Sequence, residues 1–127
     1  MKRVLLLITI SCLMFCSEKK VDRNENLISF NSEFIAELGE DNYDKFITQI
    51  NPKIKAKYSG KIIEISEIIE ANACGEYDGN IEIKKDSLIL IYKLISEEVC
   101  TSTAVVKVKY KIRNEKKLKF KIGLRYE

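Results

Sequence analysis

The stretch Thr101–Arg113, TSTAVVKVKYKIR, decides the fold of this 127-residue chain. From Val106 onward, each apolar side chain is followed by a lysine or an arginine. Successive side chains of a strand point to opposite sides of a sheet, so this period of two predicts a strand with one buried and one solvated face. Leu118–Tyr126 repeats the pattern, and Asn114–Lys116 predicts the turn of a terminal hairpin between the two strands.

Strand-like patterns also extend from this stretch back to Pro52. They occupy Lys53–Tyr58, Lys61–Ala73, Ile81–Ile83 and Leu88–Leu94. Asp78-Gly79 is the sharpest hairpin signal in the chain, and a further turn is expected at Lys85–Ser87. Because short turns between successive strands require antiparallel pairing, we expect an antiparallel meander of five or six strands.

Before Pro52 the apolar spacing is helical. Ser32 can cap a short helix, and Asp41 can cap a second one. The first helix would carry Phe34, Ile35 and Leu38, and the second would carry Tyr43, Phe46, Ile47 and Ile50. The predicted fold class is therefore α+β, with one or two short N-terminal helices packed on the five- to six-stranded antiparallel β-meander. A small β-barrel with a helical lead-in is the alternative.

Composition excludes several kinds of chemistry. The chain has no histidine, which removes imidazole bases and imidazole metal ligands. It also lacks a glycine-rich phosphate loop. Glu64, Glu67 and Glu70 are spaced by three, so the three do not all share one strand face and each neighbouring pair points to opposite faces. We therefore expect no enzyme, no cofactor and no metal. A catalytic alternative would depend on carboxylates alone.

The N-terminus has the pattern of an export signal. Lys2 and Arg3 precede Val4–Phe15, a run of twelve uncharged and mostly apolar residues. Such a run spans about 18 Å as a helix, short of the roughly 30 Å hydrocarbon core of a bilayer. It therefore predicts the hydrophobic region of a signal peptide, covering residues 1–15, and not a membrane span.

The end of this run resembles the lipobox of bacterial lipoprotein signals. Leu13-Met14-Phe15-Cys16 places a leucine three residues before a cysteine. The resemblance covers residues 1–20 and implies that Cys16, or alternatively Cys12, carries acyl chains such as palmitate. It implies a protein anchored by lipid to a membrane of the bacterial cell envelope, outside the cytoplasm. Residues 16–26 then predict a polar tether, and residues 27–127 predict a single globular domain.

Two cysteines remain in that domain, Cys74 and Cys100. Export places them in a compartment where disulfides persist, and neither a CxxC spacing nor a basic activating neighbour indicates a reactive thiol. If Cys74 ends one strand, the next two strands lead away from that end and back to it. We therefore expect a Cys74–Cys100 disulfide.

The net charge of +3 is distributed unevenly along the chain. Residues 107–127 hold nine Lys/Arg against two Glu, whereas residues 16–106 hold eleven against seventeen Asp/Glu. A surface for an anionic partner is one interpretation, and a solvated face that discourages strand pairing is the other. The residues of this predicted surface are Lys107, Lys109, Lys111, Arg113, Lys119, Lys121 and Arg125. No aromatic residue is interleaved on this face to stack a base, so we expect no nucleic-acid binding.

These features lead to one functional expectation and two alternatives. The expectation is a non-catalytic binding or structural lipoprotein of the envelope, attached to the membrane and able to contact a protein or an anionic surface. The first alternative is an inhibitor or immunity protein that binds an envelope hydrolase or a toxin. The second is a hydrolase that uses carboxylates alone. The oligomeric state stays open.

Overall fold

The computed structural model describes residues 22–50 and 52–127. This part of the chain contains seven strands and one helix. In chain order they are β1 (Leu27–Glu37), α1 (Tyr43–Ile47), β2 (Ala56–Ser59), β3 (Ile62–Asn72), β4 (Tyr77–Lys84), β5 (Ser87–Leu94), β6 (Thr103–Arg113) and β7 (Lys121–Tyr126). Strands make up 56% of the described residues and helix makes up 5%, so the α+β prediction of N-terminal helices packed on a sheet is wrong.

The strands form two separate sheets. The first sheet has the order β1-β6-β3-β2 and is antiparallel throughout. The second has the order β4-β5-β7, in which β4 and β5 are antiparallel whereas β5 and β7 are parallel. The two sheets are separate rather than joined into one closed sheet, so the barrel alternative is also wrong. The predicted terminal hairpin is wrong because β6 and β7 belong to different sheets.

The first predicted helix is a strand. Ser32 and Phe34 lie within β1, which pairs with β6 from Leu27 opposite Ile112 to Glu37 opposite Ala104. An isolated helix this short is marginal in water, whereas pairing with β6 satisfies the backbone along the whole segment. A bulge between Phe34 and Ala36 also disturbs the alternation. The resulting spacing resembles a helical pattern.

The second predicted helix exists only as the five residues of α1. Asn42 precedes it in place of Asp41, and it makes no side-chain cap. Tyr43, Phe46 and Ile47 do form the apolar side, as predicted, and they pack with Ala36 and Val105 of the first sheet. The helix therefore covers a small part of one sheet, while the main core forms elsewhere.

That main core lies between the two sheets. The first sheet contributes Ile63, Ile65, Ile69, Val106, Val108, Tyr110 and Ile112, and the second contributes Ile81, Leu88 and Leu90. Tyr110 is fully buried and its hydroxyl donates to the carbonyl oxygen of Ile91 in the second sheet at 2.8 Å. Burial raises the pKa of the Tyr110 hydroxyl far above its ordinary value. The face of each sheet towards this core is called its inner face below, and the opposite face its outer face.

Asp78-Gly79 does not form a turn, contrary to the prediction. Both residues lie inside β4, and the hairpin turns at Lys85 and Asp86, where Lys85 has a φ of 54°. A Cβ on Gly79 would lie 2.1 Å from Cδ2 of Phe30. Glycine is therefore needed here because the Phe30 ring packs directly against the strand backbone.

Candidate functional site

The Cys74–Cys100 disulfide is confirmed. The Cα atoms are 5.6 Å apart, and the bond joins the connection after β3 to the connection before β6. The side chain of Asn72 holds both cysteines, because its Oδ1 accepts the N–H of Cys74 at 3.0 Å and that of Cys100 at 3.2 Å. Its Nδ2 donates to the carbonyl oxygen of Cys100 at 2.6 Å. The base of the β4–β5 hairpin is thus closed covalently and by hydrogen bonds.

Cys16 and Cys12 lie outside the described residues. Within the predicted tether, residues 22–26 contact the start of β4. Arg23 forms an ion pair with Asp78, and the N–H of Asn24 donates to Oδ1 of Asn80 at 2.8 Å. Across residues 22–50 and 52–127, no helix has the length and apolar character needed to cross a membrane.

The structure separates the seven predicted basic residues into two groups. Lys107, Lys109, Lys111 and Arg113 alternate with the buried residues of β6, which places them on the outer face of the first sheet. The other three lie on or just before β7. Lys119 lies 3.6 Å from the ring centre of Tyr58, Lys121 pairs with Asp86, and Arg125 pairs with Glu82 and Glu127. Only the first group forms one surface.

An open depression of about 610 Å³ lies on that outer face and is called the basic trough here. Its floor carries the small side chains of Ser29, Asn31 and Ser66, from β1 and β3. Its charged lining residues are Lys55, Lys57, Lys109, Lys111 and Glu64. Strand register explains the arrangement, because Ser29 and Glu64 flank Lys111, while Asn31 and Ser66 flank Lys109.

Four lysines against one glutamate make the basic trough electropositive. Lys109 pairs with Glu33 outside the trough at 2.8 Å, and its hydrogen bond and positive charge lower the pKa of Glu33. Lys57 lies 4.0 Å from Glu64. Lys55 and Lys111 have no ion-pair partner in the described part of the chain. The sequence prediction missed Lys55 and Lys57, although they carry the same alternating lysine pattern.

A second concave feature, called the edge groove here, runs along the side of the sandwich where β2 is short. It consists of a cleft of about 460 Å³ and an adjoining one of about 440 Å³, both lined by Glu70 and Tyr92. The two clefts are also lined by Ile50, Ile54, Glu67, Ile69, Val99, Leu124 and Tyr126. No sequence pattern predicted this feature.

The edge groove contains a carboxylate that points towards the core. Glu67 is on the inner face of β3, opposite Val108, and its carboxylate accepts the backbone N–H of Lys55 at 3.3 Å. Burial raises the pKa of Glu67, while the Lys55 hydrogen bond and charge act in the opposite direction. Glu64 and Glu70 are on the outer face, so Glu67 does not share a face with either of them.

Comparisons with known proteins found no relative of this chain, so the surfaces described above are the evidence for its function. No protein-family model, no curated protein and no solved structure matches the chain. Among the described residues, no group of three or more Cys, Asp or Glu side chains is placed to hold a metal ion.

Proposed function

We propose that this protein is a lipid-anchored, non-catalytic binding protein of the bacterial cell envelope, and that the basic trough binds an anionic polysaccharide. The observation that carries the proposal is the arrangement of four lysines around a floor of small polar side chains. Ammonium groups attract carboxylate or sulfate groups, and the serine and asparagine side chains can hydrogen-bond sugar hydroxyls.

Two features support the envelope location. Residues 1–20 have the order of a lipoprotein signal, with a basic start, an apolar run and Cys16. The Cys74–Cys100 disulfide is typical of oxidising compartments. A domain held at the envelope surface by lipid would meet anionic glycans at high local concentration. The trough would therefore be occupied even if its affinity for the glycan were low.

Lipid attachment at Cys16 is expected to be visible by mass spectrometry. The mature N-terminal peptide should begin at Cys16 and carry acyl chains, because the apolar run ends there. Globomycin, which blocks lipoprotein signal cleavage, should leave the precursor uncleaved. An acylated peptide starting at Cys12 would move the site, and an unmodified mature protein would contradict the anchor.

Polysaccharide binding is expected to depend on Lys55 and Lys111. With polygalacturonate as the probe and neutral dextran as the control, calorimetry should detect binding to polygalacturonate alone, weakening steeply as salt rises. Replacing Lys55 and Lys111 with alanine should lower the affinity about tenfold, since each exposed charge contributes roughly 0.5–1 kcal/mol.

The matched control is the double variant Lys93→Ala/Lys121→Ala, which removes the same charge from the second sheet. Its affinity should stay within about twofold of the unmodified protein. Equal losses in the two double variants would show that net charge and not the trough attracts the polymer. That result, or no binding of polygalacturonate at low salt, would reject the proposed ligand.

A further inference from the structure

The edge of β3 is only partly covered. β2 pairs with β3 from Ile62 to Ile65, and no described strand pairs with β3 beyond that point on the same side. On its other side β3 pairs with β6 along its full length, from Ile62 to Asn72. One backbone edge of the segment Ser66–Asn72 is therefore left without a partner strand.

The direction of the free backbone groups follows from the hydrogen bonds at the end of β3. The N–H of Asn72 donates to the hydroxyl of Tyr77 at 2.8 Å, away from β6. Residues two apart in a strand present their N–H and C=O to the same side. Ile68 and Glu70 therefore direct both groups towards the open edge, whereas Ile69 and Ala71 direct theirs towards β6.

Glu67 explains why β2 stops where it does. Its carboxylate accepts a hydrogen bond from the backbone N–H of Lys55, the residue just before β2, at 3.3 Å. That N–H is the next donor that would extend the pairing with β3 beyond Ala56 and Ile65. The pairing between β2 and β3 therefore ends at Ala56 and Ile65. Ile54, two residues before β2, lines the edge groove and does not pair with β3.

The open edge adjoins apolar surface. The edge groove contains the core residue Ile69 with the part-buried Tyr92 and Leu124. Three large apolar side chains on its rim are unusually exposed, namely Ile50 at 41%, Val99 at 58% and Tyr126 at 54%. Apolar exposure next to free backbone donors and acceptors is the combination that strand addition requires.

Charge indicates what kind of segment fits. Glu67 and Glu70 both line the edge groove, and neither has an ion-pair partner in the described part of the chain. Because Glu70 is on the outer face of β3, lysine or arginine side chains on the outer side of an incoming strand would pair with it, whereas acidic side chains would be repelled.

We infer that the edge groove binds an extended, basic segment of a partner protein, which adds as a strand to β3. The segment hydrogen-bonds to Ile68 and Glu70, places alternate apolar side chains against Ile69, Tyr92 and Leu124, and directs the cations between them to the Glu70 carboxylate on the outer face. This binding mode is independent of the basic trough, which lies on the outer face of the first sheet.

The test uses an eight-residue peptide in which valine alternates with lysine and threonine, added to the folded protein. Backbone amide exchange is followed by NMR. In the free protein Ile68 and Glu70 should exchange rapidly, whereas Ile69 and Ala71 should be protected by β6. Saturating peptide should slow exchange at Ile68 and Glu70 at least about tenfold and leave Ile69 and Ala71 unchanged.

Three controls separate backbone pairing from other contacts. A peptide N-methylated at alternate residues should lose binding, and one with glutamate in place of lysine should bind at least about fivefold more weakly. The variant Glu70→Pro removes an outward N–H and should abolish binding, whereas Glu25→Gln, an equal loss of negative charge, should not. If Glu70→Pro fails to fold, the methylated peptide still decides the question.

Several outcomes would overturn the inference. The first is a failure to detect binding below about 1 mM peptide. The second is binding that leaves exchange at Ile68 and Glu70 unchanged, and the third is equal binding of the methylated peptide. Protection of these amides in the free protein that rises with protein concentration would instead identify a second copy of the chain as the occupant. Failure here leaves polygalacturonate binding in the trough unaffected, so the two proposals are tested separately.

Discussion

Replacing Cys74 and Cys100 with alanine is expected to lower the free energy of unfolding by about 3.5 kcal/mol. The disulfide closes a loop whose ends are 26 residues apart in sequence. Its loss frees the unfolded chain to explore many more conformations. The loop contains the whole β4–β5 hairpin, so the bond restrains two of the three strands of the second sheet. For a domain of ordinary stability, about 5–15 kcal/mol, this is a large fraction.

Urea denaturation of the double variant measures the effect. The double variant is preferred because a single replacement leaves a free thiol that can form intermolecular disulfides. Reducing the unmodified protein should destabilise it by a similar amount. A change below about 1 kcal/mol in both experiments would show that the hydrogen bonds of Asn72 hold the two connections without the covalent bond.

The substitution Gly79→Ala is expected to cost about 3 kcal/mol, the upper part of the range for overpacked cores. The new Cβ would lie 2.1–2.6 Å from three carbon atoms of the Phe30 ring. The ring cannot move away freely, because it packs edge-on against the buried ring of Tyr110 with 5.0 Å between ring centres. The backbone of β4 must shift instead, which disturbs the contact between the two sheets.

Thermal and urea unfolding of Gly79→Ala, Phe30→Leu and the double variant would test this explanation. The smaller leucine should leave room for the Cβ, so Gly79→Ala should cost less than about 1 kcal/mol in that background. Gly123→Ala is the matched control in β7, where the new Cβ would meet only the flexible end of Ile89 at 3.1 Å. Equal costs for the two glycine substitutions would contradict the proposed clash.

The strands after Pro52 were predictable because their signal is local. The alternation of apolar and charged side chains in Thr103–Arg113 follows directly from having one face in the core. The turn at Lys85 and Asp86 was also predicted. By contrast, Asp78-Gly79 has the sequence of a turn, and only the packing of Phe30 on Gly79 explains why the strand continues through it.

The sites were predictable in part. Lys109 and Lys111 were identified from their alternation, but their association with Lys55 and Lys57 depends on the order of strands in the first sheet. Lys121 and Arg125 carry the same pattern, yet β7 pairs with β5 on the second sheet. The edge groove had no sequence signal, because it exists only where β2 ends and two sheets leave an open side.

Apart from Asp78-Gly79, which lies inside β4, the amino-acid sequence by itself determined which parts of the chain after Pro52 are mainly extended, which apolar side chains of Thr103–Arg113 are buried, and that Cys74 and Cys100 meet. These properties depend on neighbours within one strand or one hairpin. Only the tertiary structure decided that Phe34 belongs to a strand, that β6 and β7 belong to different sheets, and that the edge of β3 is open. Strand pairing joins residues far apart in the chain, such as Leu27 and Ile112. A local sequence pattern predicts a strand but does not identify the strand with which it pairs.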